Sequence, residues 1–167
     1  MATEEIKEGL AAIDERLVTV VASEVKTLHD ASVHILTSGG KRIRPQMALL
    51  SYLAAGGEDI EEVIPVASAV EMVHTATLVH DDIIDGSFQR RGRPTLNANL
   101  DPKLSVLIGD FFFARAANLV AETNNLDIMK QFSETLMIIL SGEVNQQMAR
   151  WQIDRQSYFD RIYKKTG

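Results

Sequence analysis

The stretch from Ile60 to Asp85 reads as one long helix, and it limits the architectures open to this chain more than any other segment. Pro65 falls near its first turn, where a missing N–H is tolerated. The body is apolar, and the helix ends in Val79-His80-Asp81-Asp82-Ile83-Ile84-Asp85. At about 100° per residue, Val70, His74, Thr77, Asp81 and Asp85 fall in one narrow stripe. A stripe that is apolar low down and acidic at the top is neither a plain solvated surface nor a plain core. It predicts a cavity that is polar at its mouth and greasy further in.

The acidic end carries the chemistry. Asp81 and Asp85 stand at i and i+4, so their carboxylates stack one turn apart. Three acids at a helix C-terminus also oppose the macrodipole, which a cation would relieve. A hard divalent ion such as Mg²⁺ takes oxygen ligands and bridges carboxylates to phosphates. The basic run Arg90-Arg91-Gly92-Arg93 follows shortly after, where it can meet phosphate oxygens that the metal leaves uncovered. The local reading is a Mg²⁺–diphosphate site; its rival is a helix end with solvated charge.

Composition narrows the classes. The 167 residues suit one domain with a workable core, and 46% hydrophobic content with 4 Pro and 10 Gly describes a globular protein. Cysteine is absent, which excludes disulfides, thiolate metal sites and cysteine nucleophiles and fits a reducing compartment; a cytoplasmic location is expected. The beginning, Met1-Ala2-Thr3-Glu4-Glu5, has no apolar signal core, and no apolar run of membrane-spanning length is expected. A net charge of −6 argues against nucleic acid as partner. The cations nevertheless gather at Lys41-Arg42-Arg44, Arg90-Arg91-Arg93 and Arg161-Lys164-Lys165, which suits a small anionic ligand.

The rest of the chain reads as helices, so the fold class is all-α. Amphipathic segments run from about Glu4 to Val21 and from Ala22 to Thr37, where Gly39-Gly40 stops the second. Pro45 opens a helix that ends before Gly56-Gly57. Gly86 to Leu100 reads as a loop. Asp101-Pro102 starts the next helix, Leu126 to Arg150 forms another, and a last one begins near Ser157. No alternating strand pattern is present. Asp110 and Arg115, inside an apolar helix, read as a buried paired set, and His29 and His34 as structural. Glu71 and His74 spell the E-x-x-H of a di-iron bundle, but no second copy accompanies them.

Five blocks together carry a resemblance. GGKRIRP (Gly39–Pro45), EMVHTATLVHDDIID (Glu71–Asp85), RRGRPT (Arg90–Thr95), LIGDFFFARA (Leu107–Ala116) and the terminal KKTG resemble the successive motifs of trans-isoprenyl diphosphate synthases, the polyprenyl synthetase family. The resemblance, to long-chain members above all, implies an antiparallel helical bundle around a deep cavity and a reaction that lengthens an allylic diphosphate with isopentenyl diphosphate. It implies Asp81 and Asp85 as Mg²⁺ ligands with Asp82 supporting them, and Arg90 on the allylic diphosphate. Lys41, Arg44, His74 and Arg91 would hold isopentenyl diphosphate, and Lys165 and Thr166 would lie near the allylic C1. Small residues at Ala76 and Thr77 would leave the cavity open to a long product, with Phe132 as a deeper floor. A homodimer and peripheral membrane contact through the lipid product are further expectations.

One departure from the family pattern stands out. Its second Asp-rich motif has no counterpart, since the later acids Asp154 and Asp160 are scattered. Residues 1–167 are therefore expected to be the N-terminal part of a single synthase domain, inactive alone. A short-chain synthase and a noncatalytic subunit of a heteromeric transferase are the alternatives. A terpene cyclase would share the aspartates but have no use for Lys41, Arg44 and Arg91.

Overall fold

The computed structural model describes residues 2–90, 92–148 and 154–166, without the side chains of 2, 3, 165 and 166. The chain is all-α, as predicted. It runs α1 (Ala2–Val20), α2 (Lys26–Thr37), α3 (Ile43–Ala54), a 3₁₀ turn (Ile60–Glu62), α4 (Ile64–Ile84), α5 (Leu96–Asn99), α6 (Pro102–Glu122), α7 (Leu126–Met148) and α8 (Arg155–Thr166). These elements form two compact units, Met1–Thr123 and Asn124–Gly167.

Helix starts follow the local chemistry. The Asp101 carboxylate accepts from the Lys103 N–H at 2.8 Å, with Pro102 at the first helical position. Asn125 caps α7 through the Asp127 N–H at 2.9 Å, and Asp154 caps α8 through the Ser157 N–H at 2.8 Å. Each such cap stabilises its helix by about 1 kcal/mol.

The structure departs from the sequence reading in several places, among them α3, which starts at Ile43 and not at Pro45, and the expected loop from Gly86 to Leu100, which contains the short α5. The second helix starts at Lys26 rather than Ala22. The segment from Ile60 is not one helix: a 3₁₀ turn capped by Asp59 precedes α4. Pro65 has no N–H to donate into the preceding turn, so the hydrogen-bond ladder restarts there. The expected loop after Gly86 also contains an antiparallel ribbon, β1 (Gln89–Arg90) and β2 (Arg93–Pro94), pairing Gln89 with Pro94 and Arg90 with Arg93. Gly92, at φ +77°, supplies the left-handed residue that the turn needs. Strands of two residues are too short to show an alternating pattern.

In the first unit α4 packs chiefly on α6, with α1 and α3 also against it. Ile13 and Leu17 from α1, Leu49 from α3, Met72 and Ala76 from α4, and Ile108, Phe112 and Leu119 from α6 are fully buried. The buried positions of α6 recur at Ser105, Gly109, Phe112, Ala116 and Leu119, the spacing of one helical face. In the second unit α7 packs on α8.

Two helical segments, Ile60–Ile84 (the 3₁₀ turn and α4 together) and Pro102–Glu122, are long and apolar enough to cross a membrane by length and composition, which corrects the expectation that none would be. The first is the central core helix of its unit, with 61% of its most apolar window buried in protein. Core helices meet the same criterion.

Candidate functional site

The upper part of α4, the α2–α3 connection and the hairpin segment enclose a cavity of about 630 Å³. Lys41, Arg42, Arg44, Arg90 and Arg93 are its cations, and Glu71 and Asp82 its acids. Among the described residues, five cations against two acids leave three positive charges in surplus, with the histidines neutral. Such a surplus matches a diphosphate in sign and in size.

Each acid is committed to one arginine. Glu71 is 7% exposed and accepts from Arg42 Nη1 at 3.0 Å. Arg42 also donates through Nε to Asp14 at 2.7 Å and through Nη2 to the Leu36 carbonyl at 2.7 Å. Its backbone is left-handed, at φ +47°, immediately before α3. Burial would lower the pKa of this guanidinium, but the hydrogen bonds and charges of Asp14 and Glu71 outweigh it and hold the pKa above its ordinary value. Asp82, also 7% exposed, accepts from Arg90 Nε at 3.0 Å (Oδ1) and 3.2 Å (Oδ2), and Arg90 Nη2 stands 2.9 Å from its Oδ1 as an ion pair. Among the described residues, Lys41, Arg44 and Arg93 have no carboxylate partner, which leaves their charge for a ligand. Glu71 and Asp82 lie eleven residues apart on α4, close to three full turns and about 16 Å, so both project from one side.

Lys41, Arg44, His74 and Arg90 therefore come together as the sequence reading expected. Arg91 lies outside the described residues, as do the side chains of Lys165 and Thr166. Asp81 and Asp85 are not in the cavity wall. Asp81 is partly exposed on the last turn of α4, and Asp85 is its exposed C-cap, its N–H bonded to the Asp81 carbonyl at 2.8 Å. The stripe predicted to line the cavity contributes only His74 to it. The lining face is that of Glu71, Thr75, Leu78 and Asp82, rotated by about a quarter turn from the stripe.

Three expectations need correction. Asp82, expected to support Asp81 and Asp85 as they hold the metal, instead has its carboxylate buried against Arg90. Ala76 does not border open space: it is fully buried, one turn before His80 on the side that meets α6. Asp110 and Arg115 are not a buried pair. Asp110 is exposed 3.5 Å from His80 Nε2, while Arg115 donates to the Ala22 carbonyl at 2.9 Å and stacks on Phe111. Thr77 is partly exposed and donates to the His74 carbonyl at 2.8 Å. Phe132 lies half-buried on α7 in the second unit.

Other lining residues escaped the sequence reading. Arg42 and Arg93 were visible only as members of basic runs, and His34, expected to be structural, lines the cavity. Asn97 also lines it, with a buried Oδ1 that has no protein partner. Glu71 had one usable signal, its position three turns before Asp82.

No group of three or more acids and histidines able to hold a metal occurs among the described residues. Asp81 and Asp85 still fit a hard cation, since Mg²⁺ commonly takes one or two carboxylates and completes its shell with water and substrate phosphate.

The fold that carries this cavity is that of the isoprenoid synthases. The polyprenyl synthase of Caulobacter crescentus, solved with calcium and isoprenyl diphosphate, superposes with a TM-score of 0.93 at 32% identity, over 98% of this chain and 50% of that one. The polyprenyl synthetase family model matches residues 25–167, and the chain belongs to that family. It is 40% identical over 164 residues to the all-trans-nonaprenyl-diphosphate synthase (geranyl-diphosphate specific) of Rhodobacter capsulatus, covering 97% of this chain and 50% of that protein. It is 38% identical over 164 residues to the heptaprenyl diphosphate synthase component 2 of Geobacillus stearothermophilus, covering 97% of this chain and 51% of that protein. The chain thus spans about half the length of the curated relatives it matches.

Proposed function

We propose that the complete protein is a Mg²⁺-dependent trans-prenyltransferase that adds isopentenyl diphosphate head-to-tail to an allylic diphosphate and makes a long-chain polyprenyl diphosphate. The observation that carries this reading is the surplus of three cations in a cavity beside Asp81 and Asp85. Lys41 and Arg44 hold the diphosphate of isopentenyl diphosphate without metal, while Arg90 meets the allylic diphosphate. Asp81 and Asp85 would hold Mg²⁺, which when bound would supply charge neutralisation to the departing diphosphate. The allylic C1–O bond breaks, the double bond of isopentenyl diphosphate forms the new C–C bond at C1, and the proton then lost passes to the released diphosphate. No protein base is required.

Relatives named for nonaprenyl and heptaprenyl products support the long product. We further propose a homodimer, for which the exposed Val106 and Leu107 on α6 offer an apolar surface. A second reading, one subunit of a two-component transferase, is favoured by the relative named component 2.

The test is incubation of the complete protein with Mg²⁺, radiolabelled isopentenyl diphosphate and farnesyl diphosphate. Elongated labelled product is expected. Cyclic hydrocarbon from the allylic substrate alone would indicate a cyclase. No turnover until a second polypeptide is added would indicate the two-component enzyme.

A further inference from the structure

The second acid of the Asp81-Asp82-Ile83-Ile84-Asp85 run is engaged differently from its neighbours. Asp81 and Asp85 lie on a partly exposed face of α4, whereas Asp82 is turned by about 100° from Asp81 into the cavity wall. Both of its oxygens are taken by Arg90, which approaches through its Nε–Nη2 edge. That approach leaves Nη1 and its two hydrogens, to which no acceptor is bonded among the described residues. The backbone is tied at the same point: the Asp82 carbonyl accepts from the Ser87 N–H at 2.8 Å, and the Ser87 carbonyl accepts from Thr95 Oγ1 at 2.8 Å. Thr95 in turn donates its N–H to Phe88 at 3.1 Å, closing the base of the hairpin that bears Arg90.

We propose that Asp82 is a positioning residue for Arg90, fixing the guanidinium so that its Nη1 edge faces a diphosphate in the cavity. This rests on reading the cavity as a diphosphate site. The proposal makes a prediction opposite in sign to simple electrostatics. Asp82 is a negative charge in a pocket for an anion, so neutralising it should tighten anion binding if charge alone mattered. If orientation matters more, neutralising it should weaken binding, because a loose arginine loses its second contact and must be ordered by the ligand.

The experiment measures inorganic diphosphate binding to the complete protein by titration calorimetry, with EDTA present so that no metal contributes. Asp82→Asn is expected to bind about ten-fold more weakly than the parent, the size of one charge-assisted hydrogen bond. In an Arg90→Gln background the same change should weaken binding no further. Arg90→Lys, a partly exposed position that keeps the charge and loses the fork, should also weaken binding about ten-fold and remains informative if Asp82→Asn fails to fold. Tighter or unchanged binding in folded Asp82→Asn, or unchanged binding in Arg90→Lys, would overturn the proposal. These titrations read diphosphate binding alone, so a protein that binds as expected yet elongates nothing would count against the proposed reaction and not against this pair.

Discussion

His80 occupies the space that Gly109 leaves on the facing helix: a Cβ at Gly109 would lie 2.2 Å from His80 Nε2 and 2.5 Å from its Cδ2. The ring is held there by a hydrogen-bond contact of 3.1 Å with the Val106 carbonyl and by Phe113, 5.7 Å away between ring centres. This close approach joins α4 to α6 one residue before Asp81. Gly109→Ala should therefore destabilise the protein by about 1–3 kcal/mol through overpacking. His80→Ala added to it should recover part of that loss, as urea unfolding of the single and double variants would show. Equal stability of Gly109→Ala and the parent would mean the ring moves aside freely.

Arg42 combines a left-handed backbone with a buried pairing, and the two can be separated. Arg42→Ala leaves Glu71 buried without its partner, at a cost of about 3–5 kcal/mol. Asp14 is 55% exposed, so its share of the loss is small. Arg42→Gly loses the same contacts but removes the left-handed penalty, so it should be more stable than Arg42→Ala by about 1 kcal/mol. The raised pKa of Arg42 fixes the sign of its pH dependence: its contribution is complete below the ordinary arginine pKa and is lost only as pH rises through the raised one, so it is constant across neutral pH. Thermal melts of the three proteins, repeated across neutral pH, test both points.

The two groups of charged residues should separate kinetically in the complete enzyme. Lys41→Ala and Arg44→Ala each remove a cation that has no carboxylate partner among the described residues, so the Michaelis constant for isopentenyl diphosphate should rise about ten-fold or more. Asp81→Asn should instead raise the Mg²⁺ concentration needed for half-maximal rate. Steady-state kinetics at varied Mg²⁺ distinguish them, and an equal Mg²⁺ requirement in Asp81→Asn and the parent would remove Asp81 as a ligand.

Product length is expected to respond at Thr77 rather than Ala76. Ala76 has no exposed surface, so Ala76→Tyr should act first on stability, costing at least about 1–3 kcal/mol. Thr77 is partly exposed on the face of Asp81, and Thr77→Phe should shorten the product with less loss of stability. Chromatography of the products alongside unfolding curves decides this; a well-folded Ala76→Tyr enzyme with short product would reinstate Ala76.

How much of this was legible in the sequence depends on the range of the interaction. Helices, caps and the glycine stops are set by neighbours within a few residues, and most elements were read correctly from them. Periodicity also placed Val70, His74, Thr77, Asp81 and Asp85 on one face, but it cannot say what covers a face. The cavity formed on the adjacent one because the α2–α3 connection and the hairpin fold against Glu71 and Asp82. Those ties join residues 29 and 8 apart, and nothing local announces them. Lys41 and Arg44 were found through the family motif, whereas Arg42, between them, was missed because its role is decided by Asp14 and Glu71.

The three-turn interval between Glu71 and Asp82 makes α4 a gauge for the two segments that bear the cations. A residue inserted anywhere between these acids would rotate Asp82 by about 100° relative to Glu71, carrying Arg90 away while Arg42 stayed in place. The cavity would then split into two half-sites, neither with enough charge for a diphosphate. Substitutions along this helix can be absorbed singly, but a change in its length between the two acids cannot. Between Glu71 and Asp82, α4 is therefore confined to variation in side chains.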